Sequence, residues 1–178
     1  MLADIARLIL DIVATLLGSV LLLRAYMFWI GMPARNPLAQ FAFALTDWMV
    51  VPLARLVPRR GRVEWPALLG AAIVAIVFLA ALLLLVSAPV NPIALLVSAV
   101  LQLVRWALYL VMWLTILHAV LSWVNPHAPV APAMAALVRP FLAPIRRNLP
   151  AVGGIDLSPI VLIVLINVVL MVIARLTF

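Results

Sequence analysis

The sequence predicts an all-α integral membrane protein: four transmembrane helices arranged as a tandem parallel repeat of two helix pairs, each pair joined by a basic, proline-containing interfacial segment. Three observations predict it. Of the 178 residues, 69% are hydrophobic and 10% charged, against a charged share of about 25% in soluble domains, so the chain has too little polar surface to cover itself in water. Four stretches reach the length of about 20 apolar residues that a hydrocarbon core of about 30 Å requires. The second half of the chain also repeats the punctuation of the first.

The four stretches are Leu8 to Trp29, Trp65 to Val86, Val104 to Val124 and Leu157 to Leu176. Met1 to Arg7 carries Asp4 instead of a clearly basic leader, and the apolar run continues well past signal length, so the first span is expected to stay in the mature protein. Pro92 to Leu103 is also apolar, and either extends the third span beyond the membrane or lies along its surface.

Two shorter apolar stretches, Leu38 to Val51 and Val130 to Leu149, lie between spans. Pro52 is expected to end the first, and Pro132, Pro140 and Pro144 to interrupt the second, because proline removes a backbone donor and clashes with the preceding turn. On a helix, Gln40, Ala44, Asp47, Val51 and Arg55 form one narrow stripe. That pattern favours a helix lying in the interface, with a re-entrant loop as the alternative.

The repeat is read from three alignments. Val51-Pro-Leu-Ala-Arg-Leu-Val-Pro58 matches Ala143-Pro-Ile-Arg-Arg-Asn-Leu-Pro150, Gly61-Arg-Val-Glu-Trp-Pro66 matches Gly153-Gly-Ile-Asp-Leu-Ser-Pro159 with one residue inserted, and Phe28-Trp29-Ile30 matches Ser122-Trp123-Val124. Residues 1–88 and 89–178 then form two units, each a span, a basic loop and a second span, and tandem units of two spans point the same way across a bilayer. Arg35, Arg55, Arg59, Arg60 and Arg62 follow the first span, and Arg139, Arg146 and Arg147 follow the third, whereas Ser87 to Asn91 has no arginine. The positive-inside rule therefore puts both basic loops in the cytoplasm and both termini outside.

Ionisable groups within spans cost about 2.5–3.5 kcal/mol each and ask for a reason. Arg7, Asp11, Thr15 and Ser19 share one helix face, as do Ser98, Gln102, Arg105 and Tyr109. The repeat register makes Asp11 equivalent to Arg105 and Asp47 equivalent to Arg139, which suggests ion pairs between the halves. The competing expectation is that Asp11 pairs locally with Arg7 and that the arginines, Arg24 included, snorkel to headgroups. Asn167, in the last span, suits an interhelical hydrogen bond, and Ala67, Ala71 and Ala75 suit close helix packing.

The absence of cysteine excludes disulfides and thiolate chemistry. His118 and His127 lack the spacing of a metal or haem-ligand pair, and no catalytic triad or phosphate loop is evident. An enzyme and a cofactor are thus not expected. The twelve basic residues are all arginine, and most sit at the ends of apolar runs. That placement favours anionic lipid headgroups over nucleic acid as the partner.

The most informative stretch is Arg139-Pro-Phe-Leu-Ala-Pro-Ile-Arg-Arg-Asn-Leu-Pro-Ala-Val-Gly-Gly-Ile-Asp-Leu-Ser-Pro159. Here a stiff basic segment meets the headgroups and Gly153-Gly154 supplies a turn. Ser158 and Pro159 then start the last span as N-cap and first helical residue, with Asp156 a further cap. This stretch resembles the motif R-P-x-L-x-P-I-R-R-x-L-P-x-x-G-G-x-D-x-S-P of the YggT family of small multi-pass membrane proteins, whose two-repeat form covers essentially the whole chain. In the first repeat Trp48 stands for the proline, Gly61-Arg62 for Gly-Gly and Glu64 for the acid.

The resemblance implies a membrane role linked to osmotic or extracytoplasmic stress and cell division in bacteria, and to b-type cytochrome assembly in plastids. Residues and resemblance together lead us to expect a non-enzymatic scaffold or assembly factor that binds lipid and a membrane protein partner, or its own copies. Its expected binding loop comprises Arg59, Arg60, Arg139, Arg146, Arg147 and Asp156. The alternative is a small channel or transporter subunit working as a homo-oligomer.

Overall fold

The computed structural model describes residues 1–58, 61–87, 89–148 and 156–176. Its regular elements are six helices: α1 (Leu2–Trp29), α2 (Pro37–Leu56), α3 (Trp65–Leu85), α4 (Pro92–Val124), α5 (Ala131–Asn148) and α6 (Ser158–Leu176). All except α5 are long and apolar enough to cross a membrane, which makes five such helices among the described residues where four spans were expected. Long rows of exposed apolar side chains, such as Ile5, Leu8, Ile9, Ile12, Val13 and Leu16 on α1, have nothing in water to recommend them and suit lipid.

The addition is α2. Pro52 does not end it, and Pro140 and Pro144 do not interrupt α5; both helices run through their prolines. Each proline is exposed, and so is the residue four positions before it, Trp48, Ala136 or Pro140. The carbonyl freed by the missing amide therefore faces the surroundings and not the core, which is where a proline within a helix is tolerated.

The same local device starts two helices. Asn36 and Asn91 each precede a proline, and their Oδ1 atoms accept from Leu38 N at 3.0 Å and from Ile93 N at 3.0 Å, the asparagine N-cap with proline at the first helical position. α1 is closed by Gly31, whose φ of +72° suits glycine. Met32 N then reaches back to Met27 O at 2.9 Å.

By its contacts the chain forms two compact units, Met1–Ala107 and Leu108–Phe178, with the division falling inside α4. In the first unit α1 and α3 run antiparallel: Arg24 meets Glu64, Leu21 lies beside Gly70, and Ala14 shares a cluster with Ala75 and Phe78. Ala67, Ala71 and Ala75 are fully buried along this seam, so the small-residue ladder does bring two helices close. α2 packs across the same end of the pair, with Val50 in the cluster of Leu21, Ala25, Ala67 and Ala71.

The first half of α4 joins the unit through one large side chain. Trp106 is 1% exposed, its Nε1 donates to Thr15 Oγ1 at 3.2 Å, and its ring lies 6.4 Å from that of Phe78. Gly18 is what admits it, because a Cβ there would overlap the indole. In the second unit α5 and α6 pack together, and α5 buries Ala133, Met134, Leu137, Val138 and Leu142 while exposing Arg139, Arg146 and Arg147.

Gly18→Ala is expected to lower stability by about 1–3 kcal/mol, the usual cost of overpacking, seen as a drop in the melting midpoint of the detergent-solubilised protein. An unchanged midpoint would mean that Trp106 has room to move.

Candidate functional site

The most densely connected polar group is Arg24, deep in the first unit and 2% exposed. Its Nε and Nη2 donate to Glu64 Oε2 and Oε1, each at 3.1 Å, a two-pronged pairing. Nη1 donates to Thr46 Oγ1 at 2.8 Å and to Asp47 Oδ1 at 2.7 Å, and the guanidinium lies 4.7 Å from the centre of the Phe43 ring. Thr46 Oγ1 in turn donates to Ala42 O at 2.6 Å. One cation thus binds α1, α2 and the start of α3, with every guanidinium nitrogen engaged. A cavity of about 450 Å³ opens beside the cluster, lined by Met27, Phe43, Asp47 and Glu64 among others.

This arrangement corrects two expectations. Arg24 does not snorkel, because two carboxylates meet it inside the protein. Asp47 has its cation within its own unit, where the repeat register had set it against Arg139.

A second polar site lies at the other end of α1. Asp4, Arg7, Asp11, Gln102 and Arg105 line a cavity of about 440 Å³ together with Leu8, Phe78, Leu79 and Leu82. The polar faces expected on the first and third spans therefore meet within one unit. Among the described residues, however, neither Arg7 nor Asp11 makes an ion pair, so Asp11 is paired neither with Arg105 nor with Arg7. Asp4 binds the Met1 ammonium at 2.9 Å.

In the second unit the charged groups are mostly basic. Arg146 donates through Nε to Asp156 Oδ2 at 2.8 Å, and Nη2 lies 2.6 Å from the same oxygen. The other oxygen of Asp156 accepts from Ser158 N at 2.9 Å. Asp156 thus supplies the cap and the helix begins at Ser158, one residue earlier than expected. Partial burial pushes the Asp156 carboxyl up, but the Ser158 amide and the Arg146 guanidinium outweigh it and hold the group below the usual carboxylate range.

Beside this pair His118, Ser122, Arg139 and Arg146 line a cavity of about 490 Å³, with Pro132, Ala135 and Ala136 making room. Arg147 is exposed at the end of α5. Arg59, Arg60 and Gly153-Gly154 lie outside the described residues. Asn167 donates to Ile163 O of its own helix at 2.8 Å and lies 3.8 Å from Met112 Sδ on α4. No cluster of metal-ligating side chains occurs among the described residues.

Sequence reasoning missed the Arg24 and Glu64 pair. An arginine within an apolar run, in a chain with five acids, was the available signal, since so few carboxylates leave few partners to test.

Residues 3–88 and 97–177 match the family model described as CCB3/YggT. A relative from Escherichia coli (strain K12), named Uncharacterized protein YggT, is 35% identical over 168 residues, which cover 94% of this chain and 88% of that protein. A Vibrio alginolyticus protein, described as an uncharacterized protein in the proC 3' region, is 34% identical over 72% of this chain and 71% of its own length. One from Haemophilus influenzae is 33% identical over 80% and 76% respectively. No solved structure matches the chain.

Removing one member of a buried charge pair leaves the other unpaired, at a cost of about 3–5 kcal/mol. Arg24→Ala or Glu64→Ala is expected to lower the melting midpoint sharply, whereas Asp47→Asn, at a position 53% exposed, changes it far less. Equal effects at all three positions would contradict this ranking.

Proposed function

The chain belongs to the CCB3/YggT family, and we propose that it acts as a non-enzymatic membrane scaffold or assembly and stress-response factor, holding anionic lipid and a membrane partner against its basic surfaces. The observation that carries this reading is α5. Its apolar face, Ala133, Met134, Leu137, Val138 and Leu142, is buried, while Arg139, Arg146 and Arg147 are exposed. That is the division of an interfacial helix whose arginines meet headgroups.

In this reading α1, α3, α4 and α6 cross the membrane while α2 and α5 lie at its surface. The antiparallel run of α1 and α3 supports it. If α2 also crossed between them, α1 and α3 would traverse the bilayer in the same direction; a segment that leaves and returns on one side makes them opposed. α2 packs at the Arg24 end of the pair, next to the exposed Arg35, Arg55 and Arg62, which fits a cytoplasmic face in a bacterial inner membrane.

The tandem repeat adds a contrast. In its register Arg24 corresponds to His118, Asp47 to Arg139 and Glu64 to Asp156. The first half closes its cluster on itself with two acids around one arginine. The second puts an arginine where the first has an acid, and its cavity is left with surplus positive charge.

A second reading, a channel or transporter subunit working as a homo-oligomer, draws on the charged cavity along α1 and α4. It requires ion or solute flux through vesicles that Asp11→Asn abolishes.

Each arginine near an anionic surface is worth about 1 kcal/mol. Arg146→Ala with Arg147→Ala is therefore expected to cut the preference for phosphatidylglycerol over zwitterionic lipid by on the order of tenfold, measured by lipid exchange on the folded protein. An unaltered preference would end the reading. Since the chain has no native cysteine, Ala34→Cys and Asn148→Cys can also be labelled in intact cells, and both should react from the cytoplasmic side alone.

A further inference from the structure

The cavity beside α5 carries more hydrogen-bond donors than the protein itself uses. His118 and Ser122 stand four residues apart on α4, and Ala135, Ala136, Arg139 and Arg146 share one face of α5, all within the second unit. Thr46 and Thr115 each donate to the carbonyl four residues back in their own helix. Ser122 makes no such bond among the described residues, and His118 and Arg139 have no polar partner there either. Arg146 uses Nε and Nη2 on Asp156, which leaves Nη1.

This donor set points to one class of anion. Arg139 and Arg146 lie about 10 Å apart along α5, so their long side chains can close on one group from two sides. Two guanidiniums against the single Asp156 carboxylate leave surplus positive charge, and the guanidinium fork matches the geometry of phosphate oxygens. A phosphodiester offers two unesterified oxygens and one negative charge. A phosphomonoester offers three strong acceptor oxygens and a charge of about −1.5 to −2 at neutral pH. The N–H groups of Arg139, those on Nη1 of Arg146, the Ser122 hydroxyl and a ring N–H of His118 are more than two oxygens accept and suit three.

We propose that the cavity formed by His118, Ser122, Arg139 and Arg146 binds a phosphomonoester group, carried by phosphatidic acid in the bilayer or by a soluble phosphate, in preference to the phosphodiester of phosphatidylglycerol. The proposal rests on the reading of α5 as an interfacial helix and names the ligand that its arginines take. The depth agrees. His118 and Ser122 lie within about 10 Å of the C-terminal end of α4, near the surface where α5 lies, and the exposed Trp113 and Leu117 continue α4 toward the bilayer centre. A lipid whose phosphate meets the four polar groups thus keeps its acyl chains on the hydrocarbon side.

The test is lipid exchange on the purified full-length protein in phosphatidylcholine nanodiscs that carry equal small amounts of phosphatidic acid and phosphatidylglycerol with matched acyl chains, the bound lipid being identified by native mass spectrometry. The expected result is a several-fold retention of phosphatidic acid over phosphatidylglycerol. Arg139→Ala abolishes it and Ser122→Ala, which changes no charge, lowers it, whereas Arg35→Ala removes a positive charge elsewhere and leaves it intact. In discs of phosphatidylcholine alone the probe is inorganic phosphate. A rise in the melting midpoint that requires Arg139, without retention of phosphatidic acid, upholds the proposal and assigns the site to a soluble phosphate. Equal enrichment of both anionic lipids with no phosphate shift overturns the proposal and leaves the anionic-surface reading standing. Enrichment of neither, again with no phosphate shift, overturns both. A preference for phosphatidic acid undiminished in Arg139→Ala overturns the proposal as well. Arg139 is exposed, and ligand-free melting midpoints of the variants separate a lost site from a lost fold.

Discussion

Arg24 is the constraint around which the first unit is built. A guanidinium 2% exposed among apolar helices is tolerable only with its donors filled. The groups that fill them, Glu64 at the start of α3 and Thr46 and Asp47 on α2, fix where those helices lie. The two-pronged bond to Glu64 sets the register of the antiparallel seam, so that Gly70 meets Leu21 and the alanines face α1. The bonds to Thr46 and Asp47 then hold α2 across that seam. Buried charge of this kind contributes little net stability compared with apolar packing, but any other arrangement of the three helices would strand it.

The acids are used sparingly and each has a definite place. Of the five, Asp47 and Glu64 serve Arg24, Asp156 serves Arg146, and Asp4 and Asp11 line the charged cavity. Two of these groupings are internally neutralised or nearly so. Asp11 is different, since it lines that cavity with no cation within ion-pairing distance among the described residues.

Much of the fold was legible because a bilayer makes composition speak: length and apolarity located the cores of α1, α3, α4 and α6 to within a few residues at most ends, with the extension of α4 back to Pro92 the largest departure. The helices α2 and α5 were misread at their prolines because the sequence does not say which side of a helix a proline occupies, and on an exposed side its cost largely disappears. The charged cavity was visible as two polar stripes at helical spacing. The Arg24 cluster was not, because helical periodicity reports neighbours within an element, whereas Glu64 is far away in sequence and its approach depends on the seam between α1 and α3. The repeat register set Asp47 against Arg139, whereas its carboxylate meets Arg24 within the first unit.

At 33 residues, α4 is about 50 Å long, well beyond the hydrocarbon thickness of an ordinary bilayer, and its first turns, Ile93 to Leu96, are apolar instead of water-loving. A rod of that length must lean or draw the surrounding lipid thicker. Because it gives its first half to one compact unit and its second to the other, any mismatch between its length and the surrounding lipid falls on a segment that belongs to both.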